Sequence, residues 1–171
     1  GDKVTFTNIP VDLSNLPFTP FEIKGRIKVI VAIRPEYKIK KGTGRLLEIC
    51  KCLESEMPDK ISVEAVGGLS LNDYLDKIRH SHVVIDQLYA YSPATNALQT
   101  MALGRIAASG GEPEYYSYIN EPDRRPIIPL SPLDPDIKET LRRYLLDRNL
   151  MEKMSAQGRF IVERENDSRI V

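Results

Sequence analysis

Little in this sequence carries metal or redox chemistry. It has two cysteines, two histidines and no tryptophan among 171 residues. Cys50 and Cys52 lie two apart in a predicted helix and so point to different faces, which excludes a disulfide between them and leaves two reduced thiols. His80-x-His82 falls at a predicted helix end and strand start. A metal pair there would need further ligands, and none is near in sequence. Charge of either sign is also lacking in excess: Lys+Arg and Asp+Glu both number 24. That excludes a general electrostatic nucleic-acid binder. No apolar run approaches the roughly 20 residues of a membrane span, and no signal peptide is visible. The common nucleotide motifs are missing too. Gly42-Thr43-Gly44 is followed by Leu47 where a dinucleotide fingerprint needs its third glycine, and there is no G-x-x-x-x-G-K-[ST]. No acidic pair follows the first strand, so the metal-holding carboxylates of a phospho-acceptor receiver domain are absent. Asp86, at the end of the third predicted strand, therefore reads as structural.

What the sequence does contain is an alternation of short apolar runs and amphipathic stretches. Strands are predicted at Ile27–Ile33, Ile61–Val66, Val83–Ile85, Ile106–Ala108 and Pro126–Leu130, with a weaker one at Val4–Ile9. Helices are predicted from Gly42 to Glu56, from Ser70 to Ser81, from Ser92-Pro93 onward, over Glu112–Ile119, from Asp134-Pro135, and from Asn149 to Glu165. Ser70 with Asp73 forms a variant capping box, and Ser92 and Asp134 each precede a proline suited to the first helical position. The order β-α-β-α-β-α-β-α-β-α-α implies an α/β fold, a parallel sheet with helices on both faces. Residues 1–171 read as one domain, with 1–26 a proline-rich lead-in and 27–171 the βα repeats. The chain opens on Gly1 rather than Met and reads as a fragment of a longer protein.

In such sheets ligands bind beyond the carboxyl ends of the strands, which directs attention to three loops. Arg34 to Gly42 is basic and runs into a helix. Arg34 can grip phosphate oxygens with its fork and Lys41 can act as a point charge, which suits a diphosphate, although the same composition fits a solvated loop. Ser92-Pro93 would cap a helix whose free N–H groups face the cleft, with Thr95, Asn96 and Gln99 adding neutral polar contacts; an ordinary capped helix reads the same way. Gly110-Gly111 would allow a ligand close backbone approach, while Glu112 and Glu114 equally fit the first turn of a helix.

Taken together, these residues resemble the C-terminal, donor-nucleotide-binding half of a GT-B-type glycosyltransferase of the group 1 glycosyl transferase family. The likeness is carried by the Asn8–Asp12 lead-in, the R…KG loop from Arg34 to Lys41-Gly42, the strand ending in Gly67-Gly68, and the SHVVIDQ strand. It continues through Ala97–Ile106, the Gly110-Gly111-x-x-Glu114 run, and Leu150 to Glu163. The resemblance implies a Rossmann-like three-layer α/β/α domain. Its implied function is transfer of a sugar from a nucleotide-sugar donor to an acceptor, as in surface polysaccharide biosynthesis. It implies that Arg34 and Lys41 contact the donor diphosphate and that Gly67 lies near the nucleotide. No cofactor or bound metal is needed, because cationic side chains and a helix N-terminus stabilise the leaving diphosphate. Implied partners are the donor, an N-terminal acceptor-binding domain and a lipid-linked acceptor at the inner membrane face, with the protein itself cytoplasmic.

One departure matters. The family's two donor-site glutamates, eight positions apart, fall here on Tyr91 and Gln99. Tyr91 can stack and Gln99 can hydrogen-bond a hydroxyl, but neither is charged. The expected donor-binding residues are then Arg34, Lys41, Gly67, Tyr91, Ser92, Thr95, Asn96 and Gln99, with no catalytic residue assigned. The alternative is a non-catalytic nucleotide or nucleotide-sugar binding module. Without the N-terminal half, the fragment alone should transfer nothing.

Overall fold

The computed structural model describes residues 7–34, 36 and 38–171. Its centre is a five-stranded parallel sheet in the order β2-β1-β3-β4-β5. The strands are β1 Ile27–Ala32, β2 Ile61–Val66, β3 Val83–Ile85, β4 Ile106–Ser109 and β5 Ile128–Pro129. The helices are α1 Thr43–Glu56, α2 Leu71–Arg79, α3 Thr95–Ala102, α4 Pro113–Tyr118, α5 Ile137–Leu146 and α6 Arg148–Glu165. The central strands are apolar on both sides because both faces are covered. Val29, Val31, Val83, Ile85, Ile106 and Ala108 pack with α1, α5 and the first half of α6. Ile30, Val84 and Ala107 pack with α2, α3 and Val162 near the end of α6. The result is the parallel sheet with helices on both faces expected from the residue pattern, in the three-layer Rossmann-like form that the resemblance implies.

The edge strand β2 is shielded by α1 rather than by another strand. The Val63 N–H donates to Glu54 Oε1 at 2.8 Å, and Lys51 Nζ donates to the Val63 carbonyl at 2.6 Å. Two backbone groups that would otherwise invite a foreign strand are thereby occupied.

The lead-in is bound far more firmly than its proline content suggested. Its carbonyls accept from side chains spread over the whole domain. Arg159 reaches Leu16 at 2.6 Å, Arg105 reaches Pro20 at 3.2 Å, and Arg148 reaches Ile23 and Gly25 at 3.3 and 3.1 Å. His82, at the start of β3, clasps the same strap. Its Nδ1 accepts the Lys28 N–H at 2.8 Å, so its proton must sit on Nε2, 3.0 Å from the Glu22 carbonyl. Val11, Leu13 and Leu16 join the core on the α3 side, and Val11 pairs with Asp167 just past α6.

Four elements depart from the sequence reading. Helix α3 starts at Thr95 with Ala94 as its cap position, so Ser92 does not cap it and Pro93 lies outside it. Helix α5 starts at Ile137, where Asp136 accepts the Glu139 N–H. Asp134 instead bonds the Asp136 N–H and the Thr140 hydroxyl from the preceding turn. The last strand shrinks to Ile128–Pro129. Of the strand expected at Val4–Ile9, residues 7–9 are not in a strand and 4–6 lie outside the described residues.

Candidate functional site at the β1/β3 switch point

With the strand order β2-β1-β3-β4-β5, the connections from β1 and β3 leave toward opposite faces. The crevice between their carboxyl ends is the topological switch point where ligands of open α/β sheets bind. Two helices begin there, α1 after β1 and α3 after β3. Neither has a side-chain cap or an acidic residue in its first turn. By contrast α2, α5 and α6 are capped by Ser70, Asp136 and Asp147. The first N–H groups of α1 and α3 lack intrahelical acceptors, and neither helix supplies a capping side chain or a first-turn carboxylate of its own.

The two helix starts are held close together. The Leu88 N–H donates to the Lys41 carbonyl at 2.8 Å, tying the β3–α3 loop to the start of α1. Gly42, the α1 cap position, has φ 69°, and a Cβ there would lie 2.9 Å from both Leu88 Cβ and Tyr89 Cε2. Only glycine meets both requirements. On the other side of the same loop, a Cβ on Gly110 would sit 2.0 Å from the Ala90 carbonyl oxygen. The close approach expected at Gly110 is thus made by the chain's own β3–α3 loop rather than by a ligand. Gly67 behaves alike: a Cβ on it would fall 2.0 Å from the Ile33 carbonyl oxygen, so this glycine lets the end of β2 pass the end of β1.

A polar network fills the base of the crevice. Asp86, wholly buried at the end of β3, accepts from Lys41 Nζ at 3.3 Å and from Asn96 Nδ2 at 2.9 Å on Oδ1, and from the Ser109 hydroxyl at 3.3 Å on Oδ2. Asn96 in turn accepts the Tyr74 hydroxyl at 2.8 Å. Burial pushes the Tyr74 phenol up to about 12, with Asp86 adding to the rise and the Asn96 bond and Arg34 opposing it. Tyr74 thus remains a neutral donor at ordinary pH. The network links the loop before α1, the middle of α2, the end of β3, the first turn of α3 and the end of β4.

Of the residues expected at the site, Lys41 and Asn96 are members of this network. Arg34 is exposed just beyond β1 and acts electrostatically on Tyr74. Thr95 is exposed in the first turn of α3, and Gln99 is half-buried one turn later on the same side. Tyr91 and Ser92 are not at the network. They wall a separate cleft of about 360 Å³ on the β4 side of the loop, lined also by Pro93, Leu98, Glu114 and Tyr115. Tyr91 is 82% exposed. Tyr74 and Ser109 were missed in the sequence, Tyr74 because its ring fits the apolar face of α2 while only its hydroxyl reaches the crevice. Asp86, read there as structural, is the acceptor around which the site is assembled. Among the described residues no group of histidine, cysteine or acidic side chains could hold a metal ion, and no helix is long and apolar enough to cross a membrane.

The fold is a Rossmann-like α/β/α domain of the kind that forms the C-terminal half of GT-B proteins. Solved glycosyltransferases share it. The chain is similar to the C-terminal domain of the glycosyl transferase group 1 family protein LpcC from Francisella tularensis, with a TM-score of 0.62 and 16% identity over 91% of this chain and 97% of that one. It is also similar to a chain of the GtfA/B complex (TM-score 0.59, 12% identity, 91% of this chain and 36% of that one). WaaG, a glycosyltransferase involved in lipopolysaccharide biosynthesis, gives a TM-score of 0.52 and 13% identity over 85% of this chain and 45% of that one. The likeness lies in the fold, and the chain spans less than half the length of the latter two. No family profile and no curated protein matches the sequence.

Proposed function

We propose that the chain is the donor-binding half of a glycosyltransferase and that the β1/β3 crevice takes the diphosphate of a nucleotide-sugar. One observation carries this reading. Two uncapped helix N-termini and the Lys41 ammonium converge on the switch point of a fold shared with solved glycosyltransferases, with Arg34 exposed just beyond β1 and close enough to act electrostatically on Tyr74. Paired N–H groups and two cations suit a ligand with charge on two adjacent phosphates. In sugar transfer the bond between the anomeric carbon and the diphosphate oxygen breaks as the acceptor oxygen bonds to that carbon, leaving negative charge on the diphosphate. Fixed positive groups there favour the transition state without a bound metal. Asn96, Gln99 and Thr95 offer neutral contacts to ribose or sugar hydroxyls. The cleft behind Tyr91 and Ser92 supplies tyrosine rings for stacking and the Glu114 carboxylate as a hydroxyl acceptor. The acceptor, in this reading a lipid-linked glycan met at the inner membrane face during surface polysaccharide synthesis, is bound by a second, N-terminal domain.

Calorimetry with UDP, GDP and their sugars tests the assignment. Binding reduced at least tenfold by Arg34→Ala and by Lys41→Ala is expected, since each charged contact to phosphate contributes on the order of 1.5–3 kcal/mol. Binding indifferent to both substitutions would remove the diphosphate from this crevice. A second reading, a nucleotide-sugar binding module without transfer activity, is favoured by the absence of a carboxylate at Tyr91 and Gln99. Transfer by the full-length protein that is lost on Gln99→Ala decides for the enzyme.

A further inference from the structure

Among the described residues, Lys41 is the one site cation already committed to a partner. Its ammonium lies 3.3 Å from Asp86 Oδ1, and its side chain is 34% exposed while that of Asp86 is wholly buried. The carboxylate cannot follow a ligand. Asn96 holds it from α3 at 2.9 Å and Ser109 from β4 at 3.3 Å, so it is pinned from two elements besides the lysine. The lysine stem, by contrast, is long, flexible and open to the crevice. Taken together the pair is neutral, so an incoming diphosphate meets a dipole rather than a full positive charge. Arg34, Lys38 and Lys40 remain exposed nearby and enter no salt bridge among the described residues.

We infer that Asp86 is a fixed counter-charge that moderates the grip of Lys41 on the diphosphate. It holds the ammonium in place while the crevice is empty, shares it with the bound diphosphate, and reclaims it as the product leaves. This rests on the diphosphate reading of the crevice and adds regulation of affinity to it. Asp86 touches no substrate and is a positioning residue. A role confined to holding α3 against β4 makes the opposite prediction for its removal, since loosening the site can only weaken binding.

The test uses inorganic pyrophosphate as the probe, titrated into the whole chain. Asp86→Asn keeps an amide oxygen for Asn96 and an amide N–H for the Ser109 hydroxyl, but removes the charge. Releasing the Lys41 ammonium from its carboxylate partner gives the ligand a full charge-assisted contact and should tighten pyrophosphate binding by about tenfold. Lys41→Gln should weaken binding, and adding Asp86→Asn to Lys41→Gln should give little further gain, because the gain works through the lysine. A folded Asp86→Asn chain that binds pyrophosphate equally or more weakly overturns the inference and leaves the diphosphate reading standing. Pyrophosphate affinity indifferent to Lys41→Gln also overturns the inference, and indifference to Arg34→Ala as well removes the diphosphate reading. A second measurement needs no substitution at Asp86: the side-chain carbon–nitrogen correlation of Lys41 should move on saturation with pyrophosphate, and a signal that stays fixed overturns the hand-over.

Discussion

The His82 clasp gives the most quantitative prediction about stability. The ring is buried at the start of β3 and bonds through both nitrogens, accepting from the Lys28 N–H and donating to the Glu22 carbonyl. Burial pushes the imidazole below its ordinary 6.5, and Arg105, Lys28 and Arg148 push in the same direction, while the Glu22 carbonyl favours the proton. The unfolded chain therefore binds a proton at this residue more readily than the folded one. The resulting stability is complete above the unfolded value and declines as pH falls through it. Protonation would also set an N–H against the Lys28 N–H, replacing an acceptor with a second donor. His82→Phe keeps a ring against Phe21, which meets His82 edge-on at 5.6 Å, but leaves the Lys28 N–H and the Glu22 carbonyl without these partners. The cost should be about 2–4 kcal/mol, from one unsatisfied buried donor and one lost acceptor bond. Urea unfolding at pH 7.5 and pH 5.5 measures both effects. The carboxylates held low by ion pairs, such as Glu56 at about 2, stay charged across this window. The unaltered chain should lose stability on going to pH 5.5, and His82→Phe should be weaker at pH 7.5 with a shallower pH slope. An unaltered chain equally stable at both pH values, or a variant keeping the full slope, would refute the clasp.

Three further outcomes follow from contacts already described. Gly110→Ala places a Cβ against the Ala90 carbonyl, so thermal unfolding should show a loss above about 2 kcal/mol, and UDP affinity should drop as the β3–α3 loop shifts. Asn96→Ala strips Asp86 and Tyr74 of a partner each and should cost about 1–3 kcal/mol in chemical denaturation; a variant as stable as the parent would mean the network does not brace α3. Glu54→Lys uncovers the Val63 N–H on the sheet edge and should raise the aggregation rate followed by light scattering, while unfolding remains cooperative.

The strands of this fold were legible because the apolar runs from Val29, Val83 and Ile106 show no polar alternation and are short enough to be buried strands. The amphipathic periods of α1, α2 and α6 were legible for a related reason. What failed was the placing of helix starts. Ser92-Pro93 and Asp134-Pro135 carry good local cap chemistry, but tertiary contacts take those residues for turns. The Ala90–Ser92 backbone is pressed on Gly110, and Asp134 is drawn to Thr140. The strap made by the lead-in was invisible because the side chains receiving its carbonyls, His82, Arg105, Arg148 and Arg159, lie scattered along the sequence. At the site, Arg34 and Lys41 could be picked out as charges entering a helix. That Lys41 is paired, and that Asp86 gathers Asn96 and Ser109 around it, depends on three separate elements meeting at one point.

Amide hydrogen exchange with and without UDP tests the diphosphate crevice most directly. The account predicts added protection at Thr43–Leu46 in the first turn of α1, at Thr95–Ala97 in the first turn of α3, and in the loop from Gln87 to Ala94 between them. Protection confined to the amino edge of the sheet, or none at saturating UDP, would contradict it.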